Sequence, residues 1–345
     1  MLLINNMLCH THEIPDRPTK IDFVVIPISS LGFLDENKEF DEVQLTTVTI
    51  DQDMVSRMGT WVQPQAGTSR LRINRLKATA IKIMTRELEL PGIEATVNLT
   101  KDGSLKNVLL RDARVNVELT PTAQGILAKV SAKNWQPPFG PPVEFSELTL
   151  TANIAHGTAA ISGIEGRIYN GTLTGDATLK WGKELSAEGQ LNLKGTELTQ
   201  LMSRFTNAFS ASGNLDLNAR FSSQGQKAEE LFAAPRINAT FTLHKGVINN
   251  VDLVRAIQSP SRAPQRGGKT QFNEISGELQ VAGNRSIYRN LKLASGPMTA
   301  SSAFDVAPGS DLSGRVSVVL GTQSVVVARG TLTIGGDVKD PLLSQ

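Results

Sequence analysis

Apolar and polar residues alternate one by one through most of the chain. In GQLNLKG, Leu191 and Leu193 fall on one face, with Gln190, Asn192 and Lys194 on the other. GNLDLNARF sets Leu215, Leu217, Ala219 and Phe221 against Asn214, Asp216, Asn218 and Arg220. RINATFTLHKG sets Ile237, Ala239, Phe241 and Leu243 against Arg236, Asn238, Thr240, Thr242 and His244. Further on, ISGELQV adds Leu279 and Val281, NLKLASG adds Leu291 and Leu293, and LSGRVSVVL adds Val316, Val318 and Leu320. A period of two bounded by Gly, Asn or Asp is the pattern of a half-buried antiparallel strand.

The first half reads the same way. IEATVNLTKDGSLKNVLL is two strands about an Asp102-Gly103 turn, and a third runs through Val115, Val117 and Leu119. Many strands at similar spacing predict an all-β, mainly antiparallel fold: a long curled sheet, a β-groove or half-barrel, with a few short covering helices. Three stretches have helical spacing. Glu197 to Phe209 places Leu198, Leu201, Met202, Phe205 and Phe209 on one stripe, and KAEELFAAP is a turn or two ending at Pro235. NNVDLVRAIQSP opens at a capping Asn250 and carries the stripe Val251, Val254 and Ile257. Such stripes cover a sheet edge or plug an open end. WQPPFGPPV, residues 135–143, cannot be a central strand and reads as a connector. It separates an irregular start (1–40) and a first section of sheet (41–134) from a second β section (144–345).

Composition narrows the function. The 345 residues are 40% hydrophobic and 20% charged, enough for a core, with a net charge of +2. Without a clustered basic face, nucleic acid is not an expected partner. One cysteine, Cys9, allows no internal disulfide and no multi-cysteine metal site. The longest early apolar run, Phe23 to Leu34, is too short for a bilayer and is interrupted by Pro27 and Gly32. No export signal precedes it.

Gly267-Gly268-Lys269-Thr270 has the ending of a phosphate-binding loop, but Ala263 stands where the first glycine belongs. The order is also inverted, with a helix before the loop and a strand after it, so no helix N-terminus faces a phosphate. Nucleotide is not expected. His10, His12, His156 and His244 form no metal-binding spacing, and no Gly-x-Ser-x-Gly elbow occurs. We expect neither a catalytic residue nor a cofactor nor a metal. What remains is a long apolar sheet face, which in water must be covered or filled. Either a second layer of the protein closes it, or an apolar ligand such as a lipid acyl chain occupies it. A polysaccharide-acting scaffold would need a carboxylate pair among exposed aromatics, and aromatics are only 5% of the chain.

An ordered series of blocks carries a resemblance. GRIYNGTLTGDATLKW, SGNLDLNARFSSQG, FTLHKGVINNVDLVRAIQ, GGKTQFNEISGELQV, NLKLASGPMTASSAFDVAPG and LTIGGDVKDP, spanning about Ile161 to Pro341, resemble the C-terminal region of the AsmA family. Asp252, Gly267, Gly268, Thr270, Phe272 and Gly277 are the motif positions. The resemblance implies a non-enzymatic protein of the Gram-negative envelope, periplasmic and associated with the inner membrane. It further implies a role in outer-membrane biogenesis and integrity, with phospholipid or another envelope lipid, and envelope proteins, as expected partners. Members begin with a membrane helix, and residues 1–40 show none, so a truncated or divergent start is expected. On this reading the lipid-lining residues are Leu191, Leu193, Leu215, Leu217, Phe221, Ile237, Phe241, Leu243, Leu279, Val281, Leu291, Leu293, Val316 and Val318.

Overall fold

The computed structural model describes residues 6–10, 20–27, 38–51, 71–84, 89–138, 140–182, 184–206, 211–227, 230–260, 263–321 and 325–345. The chain divides into two compact units, Met1–Pro138 with Thr149–Ala159, and Phe139–Leu148 with Ala160–Gln345.

The first unit is a sheet built from β1 (Asn6–His10), β2 (Lys20–Pro27), β4 (Val43–Asp51), β6 (Arg75–Met84), β7 (Glu89–Leu99), β8 (Leu105–Arg111), β9 (Val115–Thr122) and β10 (Gly125–Trp135). Neighbours pair antiparallel except β4 and β6, which run parallel. The short β3 (Lys38–Phe40) and β5 (Leu71–Ile73) also pair parallel. Three strands, β1, β2 and β3, thus lie in the part of 1–40 that is described, where the sequence suggested irregular chain. Ala78, Ile81 and Ala95 are the unit's buried cluster, with Leu45, Ile93 and Leu110 packed on it. The expected turn forms: Gly103, at φ 82°, donates its N–H to the Thr100 carbonyl. β11 (Phe145–Ala155) and β12 (Thr158–Ile168) have residues in both units.

The second unit is an uninterrupted antiparallel meander. Its strands are β13 (Gly171–Lys180), β14 (Leu185–Glu197), β15 (Asn214–Gly225), β16 (Arg236–Asn249) and β17 (Lys269–Ala282), then β18 (Arg285–Ser295), β19 (Met298–Val306), β20 (Leu312–Gly321), β21 (Val326–Gly336) and β22 (Pro341–Ser344). Each pairs with the next. Because directly opposed residues share a face, the alternating leucines line up in rows across the strands. One row runs Leu173, Leu193, Leu217, Phe241; another runs Leu215, Leu243, Ile275, Leu293, Ala300, Val318.

The helices are shorter than their apolar stripes suggested. α1 is Leu198–Ser203, capped by the Glu197 carboxylate, which accepts from the N–H groups of Thr199 and Gln200. Phe205 lies past its end and is 53% exposed, so it is not part of the buried stripe; Phe209 lies outside the described residues. The KAEELFAAP stretch forms a 3-10 turn at Glu230–Phe232. α2 is Leu253–Gln258, and its cap is Asp252 rather than Asn250. Asn250 instead has φ 62° in the turn that leaves β16. The fully buried α2 side chains are Leu253 and Ala256, while Val251, Val254 and Ile257 pack at the margin.

α2 also reports the curvature of its own unit. It packs against β17, β20 and β21. Four strand spacings in a flat sheet would separate β17 from β21 by about 19 Å. A six-residue helix spans roughly 10 Å in either direction. The sheet therefore bends around the helix, and residues from β12 to β22 share one core beneath it.

Candidate functional site

All fourteen residues predicted to line a groove lie on the inner, apolar face of the second unit, and burial sorts them into two groups. Leu193, Leu215, Leu243, Leu293, Val316 and Val318 are buried under α1 and α2. Leu191, Leu217, Phe221, Ile237, Phe241, Leu279, Val281 and Leu291 are only half-buried. At the far end of β14 and β15 the 3-10 turn covers Ala187 and Ser223, and the Ser223 hydroxyl donates to the Leu231 carbonyl. Short helical pieces thus seal the ends of the face and leave a half-covered strip between them.

The same face carries aromatic residues that the alternation missed. Tyr288 stacks on Phe304 at 4.6 Å between ring centroids, and Phe241 meets Tyr288 edge-on at 6.5 Å. Burial pushes the Tyr288 phenol above its usual pKa. The register shifts between Tyr288 and Leu291, where Asn290 has φ 53°, so two residues three apart share a face. The signal available in the sequence was Asn290 itself, in the middle of a strand pattern, since Asn tolerates positive φ better than most residues. A second shift, between Leu193 and Thr196, puts Thr196 into the core with no exposure and no partner for its hydroxyl.

Four of the six motif positions, Asp252, Gly267, Gly268 and Thr270, meet at α2, and Phe272 and Gly277 lie farther along β17. Thr270 is buried; its hydroxyl donates to the Val251 carbonyl at 2.7 Å and accepts from the Leu253 N–H at 3.1 Å. The Asp252 carboxylate accepts from the Arg255 N–H at 2.9 Å. Gly268, at φ 89°, lies so close that an added Cβ would sit 2.5 Å from the Asp252 Cβ. Gly267, at φ 70°, bridges Val251. Phe272 is buried in the core, and Gly277 leaves room for the Leu291 side chain, which an added Cβ would meet at 2.4 Å. Asp252, Gly267, Gly268 and Thr270 together clamp α2 over the curled sheet. Of the glycine pair, Gly268 is the tight part of that clamp, while Gly267 has open space around it.

Residues 140–286 match the model of the AsmA family. This segment belongs to the AsmA family. It takes in β11 to β17, the first residues of β18, both helices and the whole α2 clamp. The blocks beyond residue 286 that share the resemblance lie outside the match and continue the same meander. No curated protein and no solved structure matches the chain.

The polar side of the AsmA segment carries scattered titratable groups. His244 lies on it, 3.8 Å from Asp216 and 3.7 Å from Glu274, and His156 occupies a turn at φ 47°. Among the described residues no group of His, Cys, Asp or Glu is placed to hold a metal ion. No described helix is long and apolar enough to cross a membrane.

Proposed function

We propose that the half-covered strip of the second unit holds the acyl chains of a phospholipid or another envelope lipid. On this reading the protein is a non-enzymatic, lipid-binding or lipid-conducting component of the Gram-negative envelope. It would work in the periplasm, associated with the inner membrane, in support of outer-membrane integrity. AsmA membership of residues 140–286 supports an envelope-associated protein. The observation that carries the finer reading is the division of the inner face. Its ends are sealed by α1, α2 and the 3-10 turn, while Leu217, Phe221, Ile237, Phe241, Leu279 and Val281 stay half-buried.

The physics of such a strip is passive. Each methylene moved from water onto it contributes about 0.8 kcal/mol, shared over many side chains. A chain would be held without any one residue being essential, and it could slide. A protein that acts only through protein partners, with its sheet closed by its own helices, would need this strip covered as well as its ends.

The test is lipid extraction and mass spectrometry of the purified protein beside Phe241→Asp and Leu279→Asp. Co-purifying lipid in the wild type, lost from both variants, is expected. No lipid in the wild type, or equal lipid in all three, would sink the reading.

A further inference from the structure

At the sealed end of the inner face, beside α2, lies a pocket of about 750 Å³. It is formed between the outward side of α2 and the adjoining ends of β17 to β20, and its size is that of an ordinary small-molecule site. Its apolar part is Val254 and Leu320, both half-buried, with the buried Met298. Two cations stand at it, Arg255 from the exposed side of α2 and Lys269 from the first position of β17. Both are exposed, and among the described residues neither is ion-paired. Asp252 is the one carboxylate on the lining, and its Oδ1 is taken up by the Arg255 N–H.

The surroundings extend the same polarity. The Gly321 N–H donates to the carbonyl of Pro297, a pocket residue, at 2.9 Å. Val326 of β21 pairs with Gly321 of β20, and Val325, Val326 and Val327 are 62%, 50% and 69% exposed. Three consecutive bare valines are therefore anchored next to a cationic pocket with an apolar wall. Cations over apolar carbon match a molecule with an anionic head and an aliphatic tail.

We propose that this pocket binds the phosphate or carboxylate head of an anionic amphiphile, with its chain laid against Val254, Met298 and Leu320. The proposal rests on the lipid reading of the inner face and adds to it a headgroup site and a charge preference. It also gives the lysine of the Gly-Gly-Lys-Thr run a role that owes nothing to nucleotides.

The experiment measures binding of lysophosphatidylglycerol and lysophosphatidylcholine to the full chain by calorimetry, with inorganic phosphate as competitor. The wild type should prefer the anionic lipid by about tenfold or more, from two cations near one head. The double variant Arg255→Ala/Lys269→Ala, changed only at exposed positions, should bind the two lipids equally. Phe241→Asp should bind less of both and keep the preference. Millimolar phosphate should not displace the anionic lipid. Equal binding by the wild type, or a preference that survives in the double variant, would overturn the headgroup site while leaving the lipid strip standing. Full displacement by phosphate would overturn the amphiphile in favour of a plain anion site. If neither lipid binds and none co-purifies, the lipid reading falls, and this inference with it.

Discussion

Thr270 and Val251 are joined by a hydrogen bond that holds α2 to the sheet: the buried hydroxyl donates to the Val251 carbonyl at 2.7 Å. The same oxygen accepts from the Leu253 N–H, so one side chain serves two backbone groups where the chain enters the helix. Thr270→Val keeps the shape and strands both groups. A loss of about 1–3 kcal/mol is expected, seen as faster hydrogen exchange across residues 251–258 and a lower denaturation midpoint. Thr196 supplies the control, since its hydroxyl is equally buried and has no partner. Thr196→Val should be neutral or stabilising by up to about 1 kcal/mol. Equal effects of the two substitutions would contradict the account of the clamp.

Gly268 tests the other side of the same clamp. Its φ of 89° suits glycine, and an added Cβ would run into Asp252. Gly268→Ala should cost more than about 1 kcal/mol and release α2. Loss of ordered α2 should show as faster proteolytic cleavage within Leu253–Gln258 than in the wild type.

Burial divides the inner face into structural and ligand-facing leucines. Leu332 is 1% exposed, and Leu332→Ala should destabilise by about 2–5 kcal/mol. Leu279 is half-buried in the strip, so Leu279→Ser should cost far less stability and still reduce retained lipid. Paired unfolding and lipid measurements separate the two effects. A Leu279→Ser protein that unfolds as readily as Leu332→Ala would place Leu279 in the core instead.

Asp305 gives the fold a pH dependence with a defined sign. Hydrogen bonds from Arg289 and then Arg285, with their charges, hold its carboxyl below the usual carboxylate range against an opposing effect of burial. A depressed folded pKa contributes stability that is present above the unfolded value of about 3.9 and lost as pH falls through the folded pKa. Asp305→Asn should therefore be less stable than wild type near neutral pH, with the difference shrinking as pH falls below the unfolded value. A difference that persists in acid would point to packing rather than charge.

Much of this was legible in the residues, and the exceptions have local causes. Strict alternation, as in Leu215–Phe221 and Ile237–Leu243, put side chains on the correct face because antiparallel register preserves parity. Where a strand shifts by one residue, parity changes and the reading fails. That hid Tyr288 and Thr196, and the paired exposures of Asn273 and Glu274 likewise hid the turn of Thr270 and Phe272 toward the core. The parallel pairing of β4 with β6 leaves no mark in a period of two. Helix ends were misread because capping is decided by geometry: Asn250 and Asp252 are both good caps, and only Asp252 faces an open N–H. The pocket could not be foreseen at all. Arg255 and Lys269 are fourteen residues apart and look solvated until the clamp brings them to one rim.

The most direct test of the central claim is photocrosslinking with a phospholipid that carries a photoreactive group in its acyl chain, mapped residue by residue. The account predicts adducts at Leu217, Phe241 and Leu279 and none at their outward neighbours Asn218, Thr240 and Glu278. Adducts spread evenly over both sets, or confined to the outward set, would contradict it.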